Sequence, residues 1–385
     1  MKGEKMKKVR FIGGTILLLS LGWLVGCQSP AVTSMKIYIQ QKNWDKAQAQ
    51  GELAVKEQPQ NAEAWWLLGT VYSEKKMYAK MNQAFDKAVE IDPGKYRPKV
   101  ENWRKGQWGQ KFNEGLALIK KGKLAEAKKK LRIALLIDPN KPQAWENLGY
   151  IYSKQDSTEK ALSCYEKGSQ LDPENTTVLM NIAALHYNHR RYKKAMAVYD
   201  SVLSLDPSNK EASTQKANCS FNLGISSLQK KDYDKAIGYF EGVLEINPND
   251  PDALHNLALI YSSRKQEDKA AGYLERALEV DPQDYEAIHY LASIYISQKK
   301  MDKAIPLLKR ALEEKPDDAE SIRLLAAIYR SQKKYDQALP LFEKVVKLDP
   351  QNVEAWNSLG LIYSYKGMKE KSEEAYRKAE KLQQK

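Results

Sequence analysis

Along most of this chain, apolar side chains recur at steps of three and four residues, break at a short polar stretch, and resume at the same steps. Leu254, Leu257, Ala258 and Tyr261 form one such stripe, Lys265-Gln266-Glu267-Asp268 interrupts it, and Ala270, Leu274, Ala277 and Leu278 form the next. Steps of this size put the apolar residues on one face of an α-helix, so the pattern predicts helix, polar turn, helix. Pairs such as Asn247-Pro248 and Asp281-Pro282 then end the second helix, because proline pushes the residue before it out of the helical region. Small residues recur at one place in the first helix, among them Gly69, Gly115, Gly224 and Gly360, or Ala183, Ala258, Ala292 and Ala326, and would let its partner approach closely.

The helix pairs keep a ruler. Pro59, Pro93, Pro139, Pro173, Pro207, Pro248, Pro282, Pro316 and Pro350 are spaced by 34, 46, 34, 34, 41, 34, 34 and 34 residues. A unit of this length cannot bury its own apolar face and must stack on the next, which predicts an all-α solenoid. Two gaps exceed the period through residues 96–107 and 210–216, neither rich in Gly or Ser. They read as lengthened first helices, with a surface loop as the other possibility.

Within the ruler, one spacing repeats: Trp65, Leu68, Gly69, Tyr72, Phe85, Ala88, Pro93; then Trp145, Leu148, Gly149, Tyr152, Ala161, Tyr165, Pro173; and finally Trp356, Leu359, Gly360, Tyr363, Tyr376, Ala379. This resembles the tetratricopeptide repeat (TPR) family from about residue 28 to 385. The resemblance implies a right-handed α-solenoid of about ten stacked helix-turn-helix units: a partial one at 28–61, then 62–95, 108–141, 142–175, 176–209, 217–250, 251–284, 285–318, 319–352 and 353–385.

The N-terminus has a different pattern. Lys2, Lys5, Lys7, Lys8 and Arg10 precede an apolar run from Phe11 to Val25, too short for a comfortable membrane span and flanked like a secretory signal. Leu24-Val25-Gly26-Cys27 resembles the lipobox of bacterial lipoproteins, which implies removal of residues 1–26 and acylation of Cys27. Gln28 in place of aspartate resembles lipoproteins passed on to the outer membrane. The expectation is a lipid-anchored protein of the bacterial cell envelope, most simply on the outer membrane facing the periplasm. A short tether (27–34) would lead into a first helix near Met35 and a solenoid over 35–385.

The formal charge is +13, and losing five basic residues and Glu4 with the signal leaves +9. An exported protein rarely meets nucleic acid, so that partner is not expected. The densest basic run, Lys120-Lys121-Gly122-Lys123 with Lys128-Lys129-Lys130 and Arg132, reads either as a patch for anionic lipid or an acidic partner, or as a solvated helix face carrying Glu–Lys pairs. Cys164 and Cys219 lie too far apart along the repeats for a disulfide and read as packing residues.

Little in the chain suggests catalysis. His186, His189, His255 and His289 belong to no HExxH or paired CxxC arrangement, and no GxSxG, P-loop or GxGxxG motif occurs. His255 and His289 share the fifth position of consecutive repeats, on the order of 10 Å apart, too far for shared metal ligation. Neither enzyme activity nor a cofactor is expected.

Binding is left. The TPR resemblance implies that positions 2, 5, 6, 9, 12 and 13 of each first helix face inward. Position 6 carries Asn113, Asn147, Asn181, Asn222 and Asn256 in five successive repeats. An asparagine offers a carbonyl acceptor and an amide donor, so such a ladder resembles the arrangement by which some relatives hold an extended chain; equally, Asn is common in the repeat consensus. Leu67, Tyr290, Leu324 and Ser358 replace it in the other repeats. Trp66, Phe112, Met180, Tyr187 and Phe221 give the groove apolar and aromatic anchors, His255 and His289 are further groove positions, and Arg323 and Arg330 could grip a carboxylate. Two functions stay open: a scaffold or adaptor holding a peptide segment or protein partner in envelope assembly, and a recognition subunit for glycan or glycoprotein.

Overall fold

The computed structural model describes residues 29–384. Cys27 and the whole signal segment therefore lie outside the described residues. Among those residues all regular structure is helical: twenty helices in ten consecutive pairs. The pairs are α1 (Pro30–Gln40) with α2 (Trp44–Glu57), α3 (Ala62–Glu74) with α4 (Tyr78–Ile91), α5 (Pro93–Lys120) with α6 (Leu124–Ile137), α7 (Pro142–Lys154) with α8 (Thr158–Leu171), and α9 (Thr176–Asn188) with α10 (Tyr192–Leu205). They continue with α11 (Lys210–Gln229) and α12 (Tyr233–Ile246), α13 (Pro251–Ser263) and α14 (Glu267–Val280), α15 (Tyr285–Ser297) and α16 (Met301–Glu314), α17 (Ala319–Ser331) and α18 (Tyr335–Leu348), and α19 (Val353–Tyr365) and α20 (Lys369–Gln383).

The chain is thus the expected α-solenoid. Both long gaps in the ruler are lengthened first helices, 28 residues in α5 and 20 in α11. The first helix begins at Pro30 rather than near Met35, because Ser29 caps it and proline is preorganised for the first helical turn.

The ruler prolines and the motif tryptophans turn out to act together. Two residues past Pro59, Pro173, Pro207, Pro248, Pro282, Pro316 and Pro350 stands Asn61, Asn175, Asn209, Asp250, Asp284, Asp318 or Asn352, whose side chain caps the next first helix. The cap satisfies a backbone N–H that the helix cannot. Trp65, Trp145 and Trp356 each donate their indole N–H to the carbonyl of Pro59, Pro139 and Pro350, 2.9 Å away in every case. The tryptophan therefore braces the turn that precedes its own helix.

The structure falls into two compact units, residues 29–151 and 152–384, with the boundary inside α7. In the first, Met35, Leu68, Met81, Phe85 and Val100 form a buried cluster. In the second, buried apolar residues run without a break from Ala217 to Ala375. Within each unit helices pack mainly on their neighbours in chain order. Neighbouring repeats are also tied by polar bonds: the motif Tyr72 and Tyr363 hydroxyls donate to Glu52 and Glu343 of the preceding repeat at 2.9 and 2.8 Å.

The predicted small residues are tight where it matters. A Cβ added at Gly69 would lie 2.4 Å from the Phe85 ring, and one at Gly224 2.8 Å from Phe240. Cys164 and Cys219 are both buried, and burial pushes the Cys219 thiol up to about 11. In the basic run, Lys130 pairs with Glu114 at 2.6 Å and Lys123 with Glu126 at 3.5 Å, which fits a helix face carrying Glu–Lys pairs.

Candidate functional site

The asparagines of position 6 stand on first helices: Asn113 and Asn147 on α5 and α7 in the first unit, Asn181, Asn222 and Asn256 on α9, α11 and α13 in the second. Three of them are engaged by their own helix. The amides of Asn147, Asn222 and Asn256 donate to the carbonyls of Gln143, Asn218 and Asp252, four residues earlier, at 2.8, 2.7 and 2.7 Å. Each side-chain carbonyl remains as an acceptor, and one of the two amide hydrogens is taken. Asn113 and Asn181 are exposed.

The apolar anchors are half-buried and pack on the cores beneath them. Trp66 stacks on Phe85 with ring centres 5.0 Å apart, and Phe112 stacks on Trp108 at 4.6 Å. In the second unit Phe221 meets Phe240 edge-on at 5.5 Å, Tyr187 meets Tyr192 likewise at 5.5 Å, and Met180 packs on the cluster around Tyr199.

The charged candidates are engaged by side chains of their own or the following repeat. His289 Nε2 lies 2.9 Å from Asp318 Oδ2 and 2.8 Å from Ser321 Oγ, and His255 Nε2 lies 3.0 Å from Asp284. Both aspartates are the caps of the following first helix. Burial pushes the Asp318 carboxyl up, but hydrogen bonds from Ser321 and the adjacent His289 outweigh it and hold the group below the usual range. Arg323 makes a two-pronged bond to Glu320, at 3.0 and 2.6 Å, and reaches Glu354 at 4.0 Å. Arg330 binds Glu354 at 3.2 Å and also donates to Ser358. The carboxylates these arginines grip are the chain's own.

The second unit holds a recess of about 220 Å³ between α13, α14 and α15. His255, Leu259 and Ser262 line it from α13; Glu286, Tyr290, Ser293 and Ser297 line it from α15. These are positions 5, 9 and 12 of one repeat and 2, 6, 9 and 13 of the next, so the positions expected to face inward do converge here. Tyr290 is 51% exposed and Leu259 43%, so both side chains stand open to solvent at the edge of the recess. Sequence reasoning singled out His255 but noted Tyr290 only as a break in the asparagine ladder. That break, an aromatic where neighbouring repeats have Asn, was the available signal. Among the described residues no cluster of His, Cys, Asp or Glu is arranged to hold a metal ion, and no helix is long and apolar enough to cross a membrane.

Known families match several stretches. The model described as the cytochrome c-type biogenesis protein H TPR domain matches residues 117–254, and that of anaphase-promoting complex, cyclosome, subunit 3 matches 263–345. Tetratricopeptide repeat models match 62–95 and 353–385, 239–271 and 326–367. Among curated proteins, the chain is 28% identical to Protein O-mannosyl-transferase TMTC1 of Mus musculus over 121 residues, 31% of this chain and 12% of that protein. It is 32% identical to a DnaJ homolog subfamily C member 7 homolog of Dictyostelium discoideum over 107 residues, 28% of this chain and 18% of that one. The chain therefore spans less than a fifth of the length of these relatives. Among solved structures, MamA is 26% identical with a TM-score of 0.41, over 44% of this chain and 92% of MamA. YrrB, described as a TPR protein with an unusual peptide-binding site, is 23% identical with a TM-score of 0.36, over 50% of this chain and 95% of YrrB. With ten consecutive helix pairs and repeat models matching near both ends and in the middle, the chain carries tetratricopeptide repeats.

Proposed function

We propose that this protein is a non-catalytic scaffold that holds a peptide segment or protein partner along the inward positions of its first helices. The observation that carries this is the recess between α13 and α15, built from those positions and walled by exposed Leu259 and Tyr290. Side-chain carbonyls left open on Asn222 of α11 and Asn256 of α13 supply acceptors for a partner's backbone. The lipobox-like Leu24-Val25-Gly26-Cys27 supports anchoring through Cys27 in a bacterial envelope, on the outer membrane facing the periplasm. The match to a cytochrome c-type biogenesis domain is in keeping with a role in envelope assembly.

Photo-crosslinkers placed at Leu259 and Tyr290, with recovery from membranes and mass spectrometry, test the reading. A discrete protein partner, lost on Asn222→Ala/Asn256→Ala, is expected. Recovery of glycan in place of protein would favour the recognition-subunit reading, which the resemblance to an O-mannosyl-transferase supports. Crosslinks insensitive to both substitutions would end the groove proposal. For the anchor, Cys27→Ser should move the protein out of the membrane fraction; a variant that stays there refutes acylation.

A further inference from the structure

We propose that the recess between α13, α14 and α15 takes one basic side chain of the partner, a lysine or an arginine. This rests on the groove reading above and names the chemistry that it selects. At about 220 Å³ the recess has room for a side chain but not for a length of backbone. Its walls are apolar: Ala258 and Leu259 of α13, Leu274 of α14, and Ile294 of α15, with the Tyr290 ring at the exposed edge. Its charged lining is two carboxylates, Glu267 and Glu286, with His255 beside them and no lysine or arginine. Serine hydroxyls complete it, and Ser297 Oγ lies 2.8 Å from both Glu267 Oε2 and the Ile294 carbonyl, either of which can accept its one proton.

An apolar wall with acid groups suits a side chain whose stem is hydrocarbon and whose head is a cation. A neutral aliphatic group would fill the space but give the carboxylates nothing to pair with, and an acidic one would be repelled. Tyr290 adds a ring face for the cation. The chain uses the same contact repeatedly within itself, with Lys315 Nζ 3.8 Å from the Tyr285 ring centre and Lys269 Nζ 4.9 Å from that of Tyr261. In a chain of formal charge +13, a lining of two carboxylates without lysine or arginine is opposite in sign to the net charge of the protein.

The test uses the full chain with labelled Ile and Leu methyl groups, read by NMR at Ile294, Leu259 and Leu274. The probes are the blocked pentapeptide Ala-Ala-Arg-Ala-Ala, its Glu and norleucine counterparts, and free n-butylguanidinium. The Arg peptide should shift these methyls saturably and bind about tenfold or more tightly than either counterpart. It should also bind more tightly than butylguanidinium, since a side chain carried on a peptide gains from backbone contacts. Glu267→Gln/Glu286→Gln should abolish the preference for Arg over norleucine while leaving distant methyls unmoved. Tyr290→Ala, a substitution at an exposed site, should weaken the Arg peptide alone. Equal binding of Arg and norleucine peptides, or no shift with any peptide, overturns the basic-side-chain assignment. Binding of butylguanidinium as tight as the Arg peptide would assign the recess to a small free cation instead. If partner crosslinking at Leu259 persists while the Arg preference is absent, this inference fails and the groove reading stands; if both vanish, the groove reading itself fails.

Discussion

Gly224 shows how little room a single position leaves. A methyl group there would sit 2.8 Å from the Phe240 ring, which is itself fully buried and held edge-on by Phe221. Gly224→Ala should therefore destabilise the protein by about 1–3 kcal/mol despite the better helix propensity of alanine, as read by urea denaturation. Asn222 and Asn256 behave oppositely. Their amides close onto their own helix, so alanine removes little that the fold uses, and Asn222→Ala and Asn256→Ala should each change stability by less than about 0.5 kcal/mol. A loss of partner on these substitutions would then report contact rather than unfolding. Asp318 adds a pH dependence. Its carboxyl titrates below the unfolded value, so the stability it contributes is complete above a pH of about 3.9 and is lost as pH falls through the lower folded value. The denaturation midpoints of wild type and Asp318→Asn should differ at pH 6 and draw together near pH 2.

At the scale of the helix pair, the turn inside each repeat carries a residue in the left-handed conformation. Gly122 and Gly367 fill it in two repeats, but Lys42, Lys76, Asp156, Arg190, Lys231, Lys265, Lys299 and Lys333 fill it elsewhere, at φ between 52° and 59°. A side chain in this region strains the backbone by about 1 kcal/mol or more, and glycine relieves it at the cost of a freer unfolded chain. Lys265→Gly and Lys299→Gly should each stabilise by roughly 0.5–1 kcal/mol, seen as a higher denaturation midpoint. Much at this scale was legible in the sequence: the three- and four-residue steps and the proline ruler gave the pairs, and the scarcity of Gly and Ser in residues 96–107 and 210–216 pointed to the long α5 and α11. The left-handed lysines were not, since lysine says nothing about its own φ. Nor was the use of Arg330, because its partner Glu354 comes near only once α17 and α19 are packed, whereas Glu320 stands three residues before Arg323 on the same helix. Tyr290 shows in the sequence only as a departure from the asparagine ladder, because the recess it lines is made by two repeats.

At the scale of the whole molecule, each unit is a stack in which cohesion is passed from pair to pair. Within the second unit Glu343 accepts from Tyr363, Glu354 holds Arg330, and Ser321 meets His289, each bond joining one repeat to the next. Deleting one such bond should loosen a single junction. In hydrogen exchange, Tyr363→Phe is expected to raise exchange in α18, α19 and α20 while amides in α11 and α12 keep their protection. Burial and the Glu343 bond together push the Tyr363 hydroxyl up to about 12, so this tie stays protonated throughout the ordinary pH range. Nearest-neighbour cohesion also decides how such a molecule answers tension. If a protein of this build is tethered at one end and its cargo pulls on the other, the load would be shed one rung at a time. Each 34-residue rung would release a slack of roughly 110–120 Å before the next one yields. A grip formed by two adjacent rungs would let go only when one of those two opens, so a partner seated beside Tyr290 could be held through the loss of rungs farther along the stack.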